Sequence, residues 1–174
     1  MNYFVLFAQR VLSVIIKLVV KTSRVILAKL QISIFAGRKM QLGPTNLRVY
    51  GILLREGRVL VSIECILGRN VVKFPGGGVE EGETPEAALA REFVEEGNLA
   101  LKLNYLVYAP GTLFSPWTHS RYTPLYYRID SEGIPNTPEH EHVDLQFMCP
   151  EKAIGTGKMA EPEIFALKLV VKNL

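Results

Sequence analysis

The sequence predicts an α/β fold, with helices packed on both sides of a mixed β-sheet. Three observations predict it. Segments rich in β-formers recur from Leu47 to Cys149, a well-capped helical segment interrupts them after Thr84, and an amphipathic helical pattern closes the chain from Pro162 to Lys172. Sheet strands with helices before and after them need a layer on each face, because each face has apolar side chains to bury.

In chain order, the first 40 residues form a leader distinct from the domain at 41–174. No Asp or Glu occurs before Glu56, whereas residues 1–55 hold nine of the twenty Lys and Arg. The remaining 119 residues carry eleven basic and seventeen acidic side chains, a formal balance of −6 beside +9 for the first part. This split implies a basic appendage on an ordinary acidic domain. It does not imply nucleic-acid binding, since the basic residues are not interleaved with stacking aromatics.

Arg10, Ser13, Lys17, Lys21 and Arg24 recur at spacings of three and four, one narrow polar stripe on an otherwise apolar helix. So wide an apolar face must meet membrane, a partner or the domain itself. Spanning a bilayer is disfavoured, because Arg10 and Lys17 would each cost about 2.5 to 3.5 kcal/mol at the centre of a span. The readings left open are peripheral attachment to a membrane surface, packing on the domain or in a homodimer, and a targeting or upstream segment with translation starting at Met40.

Leu47 to Arg55 and Arg58 to Glu64 read as strands joined at Glu56-Gly57, which makes a hairpin. A loop through Gly68, Arg69 and Asn70 should lead to a strand from Val71 to Phe74, ended by Pro75. Gly76-Gly77-Gly78 follows, and taken alone it is a flexible turn. Thr84-Pro85-Glu86 opens a helix, with threonine as cap, proline in the first turn and an acid at the positive end of the dipole. Leu89 and Phe93 should bury one side of it. Gly97 and Asn98 should stop it. Further strands are expected at Leu101 to Ala109, Arg121 to Asp130 and Val143 to Cys149.

The chemistry concentrates near the end of the central helix. Glu92, Glu95 and Glu96 follow Arg91, and spacings of three and four place all three carboxylates on one side. Like charges so crowded repel by a few tenths of a kcal/mol per pair, so the arrangement makes better physical sense around a divalent cation.

Gly77, Glu83, Arg91, Glu92, apolar Phe93, Glu95, Glu96 and apolar Leu99 stand at the spacings of a known signature, and the stretch resembles the box of the Nudix hydrolases. One position departs, since the last glycine of that box falls at Asn98. The resemblance implies a Nudix-like α/β/α sandwich around a mixed sheet, here with an extra N-terminal amphipathic helix. It also implies cleavage of a pyrophosphate in a nucleoside diphosphate linked to another moiety, or in a nucleoside triphosphate, by water attack at phosphorus.

From the same resemblance, Mg²⁺ or Mn²⁺ would be held by Glu92, Glu95, Glu96 and the carbonyl of Gly76, hard ions suited to oxygen ligands. Glu92 is the first candidate for a role at the attacking water, while Arg91 and Glu83 would pair and hold the helix on the loop. Gly77 and Gly78 would let the backbone approach substrate. At the helix end, either Asn98 or Gly97 would take the left-handed conformation.

Family members often recruit a further acid from a late loop, and Glu139, Glu141 and Asp144 are candidates, each also readable as a solvated loop acid. In the segment around Trp117, the side chains of Trp117, Arg121 and Tyr122 would stack on a base or hold a phosphate, or else Trp117 and Tyr122 simply cover the sheet edge. His119 nearby would touch substrate or solvent. Pro116 falls roughly where ADP-ribose hydrolysing relatives often carry a proline. His140 and His142 flank Glu141, but nothing supplies a third ligand at zinc spacing.

Cys65 and Cys149 are too few for a disulfide framework and read as reduced core or strand residues in a reducing compartment. No Gly-x-Ser-x-Gly and no Gly-x-x-x-x-Gly-Lys-Ser/Thr occurs, which disfavours serine hydrolase and P-loop chemistry. A cytoplasmic enzyme acting on a nucleotide-type small molecule is expected, with no nucleic-acid partner. The alternative is a non-catalytic nucleotide-binding or regulatory module on the same fold.

Overall fold

A computed structural model describes residues 46–115 and 117–171. The basic leader at 1–40, with its membrane, dimer and targeting readings, lies outside the described residues, as does Pro116. Among the described residues no helix is long and apolar enough to cross a membrane.

Among the described residues seven strands and three helices follow the order β1 (Leu47–Arg55), β2 (Arg58–Ile66), β3 (Arg69–Lys73), α1 (Pro85–Gly97), β4 (Lys102–Tyr108), β5 (Leu113–Phe114), β6 (Arg121–Asp130), β7 (Val143–Met148), α2 (Pro150–Gly155) and α3 (Glu161–Val171). The strands form one mixed sheet in the order β3-β2-β1-β6-β4, with β7 beside β2 and β5 beside β6. Only β1 and β6 run parallel, in register from Leu47 opposite Thr123 to Leu53 opposite Ile129. The other pairings are antiparallel.

Alternation along β1 decides the layers. Val49 and Leu53 join Leu60, Ala88, Leu89, Phe93 and Ile129 in one buried cluster under α1. Tyr50 and Ile52 join Val61, Phe74, Tyr126, Ala166 and Leu167 in a second, under α2 and α3. Both faces of the sheet are therefore covered, which is the α/β sandwich the sequence predicts. Gly51 is where α1 comes closest, since a Cβ there would stand 2.5 Å from a ring carbon of Phe93.

Several boundaries differ from expectation. The segment from Gly68 to Asn70 is no loop. Leu67 and Gly68 both take positive φ, 48° and 77°, and make a two-residue turn, so β2 extends to Ile66 and β3 begins at Arg69. A leucine at such a position is unusual, which hides the turn from a reading by residue type. The two-residue β5 and the six-residue α2 were not expected, being too short to show a period. Cys65 and Cys149 are free but exposed, so neither is a core residue.

β1 and β2 pair only near their turn, at Leu54 opposite Val59 and Arg55 opposite Arg58. Beyond that β1 is joined by the segment after β3. Gly51 N donates to Pro75 O at 3.0 Å, Val49 N to Gly77 O at 2.9 Å, and Val79 N to Leu47 O at 2.9 Å. This lays the glycine run along β1 and directly beneath α1.

Candidate active site

The helix that carries the acids is fixed at both ends. Thr84 has extended φ and ψ, its hydroxyl accepts from Ala87 N at 3.2 Å, and Pro85 takes the first turn. Glu86 in that turn accepts from the Tyr127 hydroxyl at 3.1 Å, tying the helix start to β6. At the other end Asn98 takes the left-handed conformation at φ 51°, ψ 36°. Its N–H donates to Val94 O and that of Leu99 to Phe93 O, which satisfies carbonyls the helix leaves open. Gly97 stays helical, and its lack of a side chain serves packing, since a Cβ would lie 2.7 Å from Leu145 Cδ1.

Asparagine brings something glycine would not. Asn98 Nδ2 donates to Asn136 O at 3.0 Å, while Asn136 N donates to Gly97 O at 2.9 Å. The departure from the signature thus ties the helix end to the loop before β7.

With Leu89 and Phe93 buried on the sheet, Glu92 lies against Gly77 and Glu96 against Gly76, while Glu95 is half exposed and pairs with Arg91. Glu96 is 6% exposed, and its Oε2 accepts from Gly76 N at 3.0 Å. Glu92 lies against Gly77 so closely that a Cβ there would be 2.2 Å from Oε1. Gly76 is held at φ 133°, with its missing Cβ 2.1 Å from Val49 O. Gly76 admits glycine alone, since the clash is with backbone, whereas a side chain at position 77 would have to displace the Glu92 carboxylate. Gly78 is different, having open space where a side chain would stand.

Arg91 organises the loop. Its Nε and one terminal nitrogen bind both oxygens of Glu83 at 3.0 Å, and that nitrogen also donates to Gly78 O at 2.9 Å. The other terminal nitrogen reaches Glu92 Oε1 at 3.1 Å and Glu95 Oε2 at 2.9 Å. The bidentate pairing with Glu83 is the geometry guanidinium favours. It holds the Glu83 carboxyl below the usual range and the guanidinium above its own.

A second cation was not foreseen. Lys73, at the end of β3, donates from Nζ to Gly76 O at 2.9 Å and pairs with Glu64 Oε1 at 2.8 Å, with Glu96 Oε1 at 4.0 Å. Ser62 also donates to Glu64, at 2.7 Å. Burial alone would lower the Lys73 ammonium's pKa, but Tyr50, Glu96 and Glu64 outweigh it and leave it raised. Sequence reasoning missed Lys73 and Glu64 because they meet only through the β2–β3 register, in which Ser62 faces Lys73.

Burial pushes the Glu96 carboxyl up to about 7, against the opposing pull of Lys73 and the Gly76 N–H. It also raises Glu92, against Arg91. Desolvated carboxylates shifted this way are short of positive charge. Among the described residues no three His, Cys, Asp or Glu side chains already form a metal cage, and here Arg91 and Lys73 engage the acids. The donor chemistry nonetheless fits a hard divalent ion: three carboxylates and a carbonyl, oxygen throughout. The Gly76 oxygen, though engaged by Lys73, keeps a second lone pair.

Next to Lys73 a cavity of about 310 Å³ opens between β1, β3, the segment around Trp117 and the start of α3. Trp117 and Tyr122 both line it, and Tyr122 is buried. Arg121 does not join them; it is exposed and lines a separate depression with Thr112, Leu113 and Phe114. The alternation of β6 explains this, since Arg121 and Tyr122 point to opposite faces. His119 is exposed, with its ring centroid 6.2 Å from that of Phe114.

Of the late acids, Glu139 and Asp144 are exposed, and Glu141 lies 3.7 Å from His140. His140 and His142 are themselves exposed. Arg48 and Glu163, on the cavity wall, went unnoticed in the sequence. A buried acid in the first turn of a helix looks like an ordinary dipole partner until the fold puts it inside.

Comparison with known proteins agrees with this fold. The family model described as NUDIX domain matches residues 44–168. An RNA pyrophosphohydrolase of Actinobacillus succinogenes is 34% identical over 109 residues, 63% of this chain and 52% of that protein. The chain thus spans about half the length of the curated relatives it matches. A NUDIX hydrolase from Nitrosomonas europaea superposes with a TM-score of 0.66 at 14% identity, over 74% of this chain and 90% of that one. The E. coli ORF135 protein does so at 0.60 and 23%, over 75% and 93%. These two likenesses are of fold.

Proposed function

The chain belongs to the Nudix family, and we propose that it is a divalent-metal-dependent pyrophosphohydrolase acting on a nucleotide-type substrate. The observation that carries the proposal is the acid set of α1: Glu96 and Glu92 against the Gly76–Gly77 backbone, and Glu95 joined to Glu92 through one terminal nitrogen of Arg91. A non-catalytic module on this fold would have no need of all three.

Glu92, Glu95, Glu96 and the Gly76 carbonyl would hold Mg²⁺ or Mn²⁺. The bound ion supplies charge neutralisation of the phosphates and a lowered pKa for water. In the hydrolysis, a water oxygen bonds to phosphorus as the bridging P–O bond breaks, and the water proton passes to a carboxylate. Glu92 is the group assigned to receive it. Its place against Gly77 and its bond from Arg91 fix its orientation. Arg91 and Glu83 position rather than react: their paired side chains hold the glycine loop to the helix.

Two substrate classes fit. One is a small nucleoside diphosphate linked to another moiety, or a nucleoside triphosphate. The other is RNA bearing a 5′-pyrophosphate, favoured by the name of the relative from Actinobacillus succinogenes. A panel of both classes, incubated with the full chain and Mg²⁺ and analysed for products, tests the proposal. Hydrolysis at a pyrophosphate bond is expected, and its loss in EDTA. Binding without turnover on any member would replace the enzyme with a non-catalytic nucleotide-binding module.

A further inference from the structure

Lys73 stands where a divalent ion would make its own contacts. Its Nζ donates to Gly76 O at 2.9 Å and lies 4.0 Å from Glu96 Oε1, two of the oxygens assigned above to the metal. The side chains of Lys73 and Glu96 are only 11% and 8% exposed, so solvent screens their charges little. The second lone pair of Gly76 O leaves space for an ion on that oxygen. An ammonium on the first lone pair would then face a doubly charged ion across a single atom, a strong repulsion in a buried place.

The same ammonium has a second set of partners that no metal reading claims. Glu64 Oε1 lies 2.8 Å from Nζ, and that oxygen also accepts from the Ser62 hydroxyl at 2.7 Å. The centroid of the Tyr50 ring is 5.6 Å from Nζ, within cation–π range. Ser62 and Glu64 belong to β2 and Lys73 ends β3, so strand register brings these groups together without help from α1. Lys73 can therefore let go of Gly76 O and Glu96 while remaining paired and buried.

We propose that Lys73 is a built-in competitor for the divalent-cation site: it neutralises Gly76 O and Glu96 when no ion is bound, yields them to the ion, and is then retained by Glu64. The inference rests on the metal reading above. Lys73 acts through the ligands and not on the reacting atoms, which makes it a positioning residue. Two consequences follow from its place. The acids keep a cationic partner without metal, and the ion binds more weakly than the same acids would hold it alone. A lysine that only props the glycine loop would act with the opposite sign, since loosening the loop by its removal would weaken metal binding.

Mn²⁺ is the probe, titrated into the full chain without substrate and followed by the electron paramagnetic resonance signal of the free ion. The binding counted is the part that Glu96→Gln abolishes. Lys73→Met is expected to lower the Kd for Mn²⁺ at least about tenfold, and Lys73→Arg, which keeps a cation, to leave it within about threefold of the wild type. Removing Lys73 alone strips buried acids of their partner, so the pair is also removed together. Lys73→Met combined with Glu64→Gln is expected to bind Mn²⁺ at least about tenfold tighter than Glu64→Gln alone. This second comparison decides if circular dichroism shows the single variant unfolded. Equal or weaker binding where a gain is expected would overturn the proposal and leave the metal reading standing. Absence of Mn²⁺ binding by every one of these proteins would overturn both.

Discussion

Gly77 and Glu92 share one space: the Cβ that any other residue would carry at position 77 stands 2.2 Å from Oε1 of the glutamate. The first residue of the signature is thus a glycine because a carboxylate of the same signature occupies its side-chain volume. Gly77→Ala is expected to push Glu92 off its position and lower kcat about 10²-fold or more, the scale at which displacements near 1 Å are felt. Far-UV circular dichroism should show the fold retained. A kcat within threefold of wild type would contradict the packing argument.

Lys73 is the second cation of the site, and its removal should be felt as stability. Lys73→Met leaves Glu64 and Glu96 facing each other in a buried place without their shared partner. Breaking a buried pair in this way costs about 3 to 5 kcal/mol. Urea unfolding in EDTA should show that loss, and Mg²⁺ should restore part of it by replacing the missing positive charge. A loss below about 1 kcal/mol would mean that Lys73 is not holding these acids.

Position 98 separates conformational cost from hydrogen bonding. Asn98→Ala keeps the left-handed backbone at φ 51° with a residue poorly suited to it and is expected to cost about 1 to 2 kcal/mol. Asn98→Gly relieves the backbone but gives up the bond to Asn136 O, so the two effects offset to within about 0.5 kcal/mol. Denaturant midpoints of both variants, measured beside the wild type, check this order.

Glu163 makes the free protein sensitive to pH. Burial raises its carboxyl from the ordinary 4.5 to about 7, so the folded state holds a proton that the unfolded state releases. The sign follows: its contribution is fully present below pH 4.5, declines as pH rises from 4.5 to 7, and is gone above 7. At about 1.4 kcal/mol per tenfold change in proton affinity, the full decline is on the order of 3 kcal/mol. Glu163→Gln should flatten the stability profile of the ligand-free protein across that interval. An unchanged slope would place the sensitivity elsewhere.

The central helix and the placing of its acids were legible in the sequence because local rules govern them. Thr84 and Pro85 announce the start, and the spacing of Glu92, Glu95 and Glu96 puts them together with no knowledge of the sheet. The pairing of Arg91 with Glu83 belongs to the same local stretch. What stayed hidden depends on contacts between distant segments. Lys73 and Glu64 meet through strand register, and Glu163 reaches the cavity from the last helix. The turn at Leu67 was hidden for another reason: leucine at positive φ follows from the pairing of β2 with β3, which overrides residue preference.

The hydrolysis rate of Glu95→Gln and Glu96→Gln beside the wild type tests the central claim most directly. Each protein is given the best pyrophosphate substrate of the panel with Mg²⁺. The wild type is expected to turn over, and each variant to lose about 10²-fold or more, as removal of groups that stabilise charge in the reaction does. Turnover unaffected by both substitutions, or no turnover by the wild type on any substrate, would contradict it.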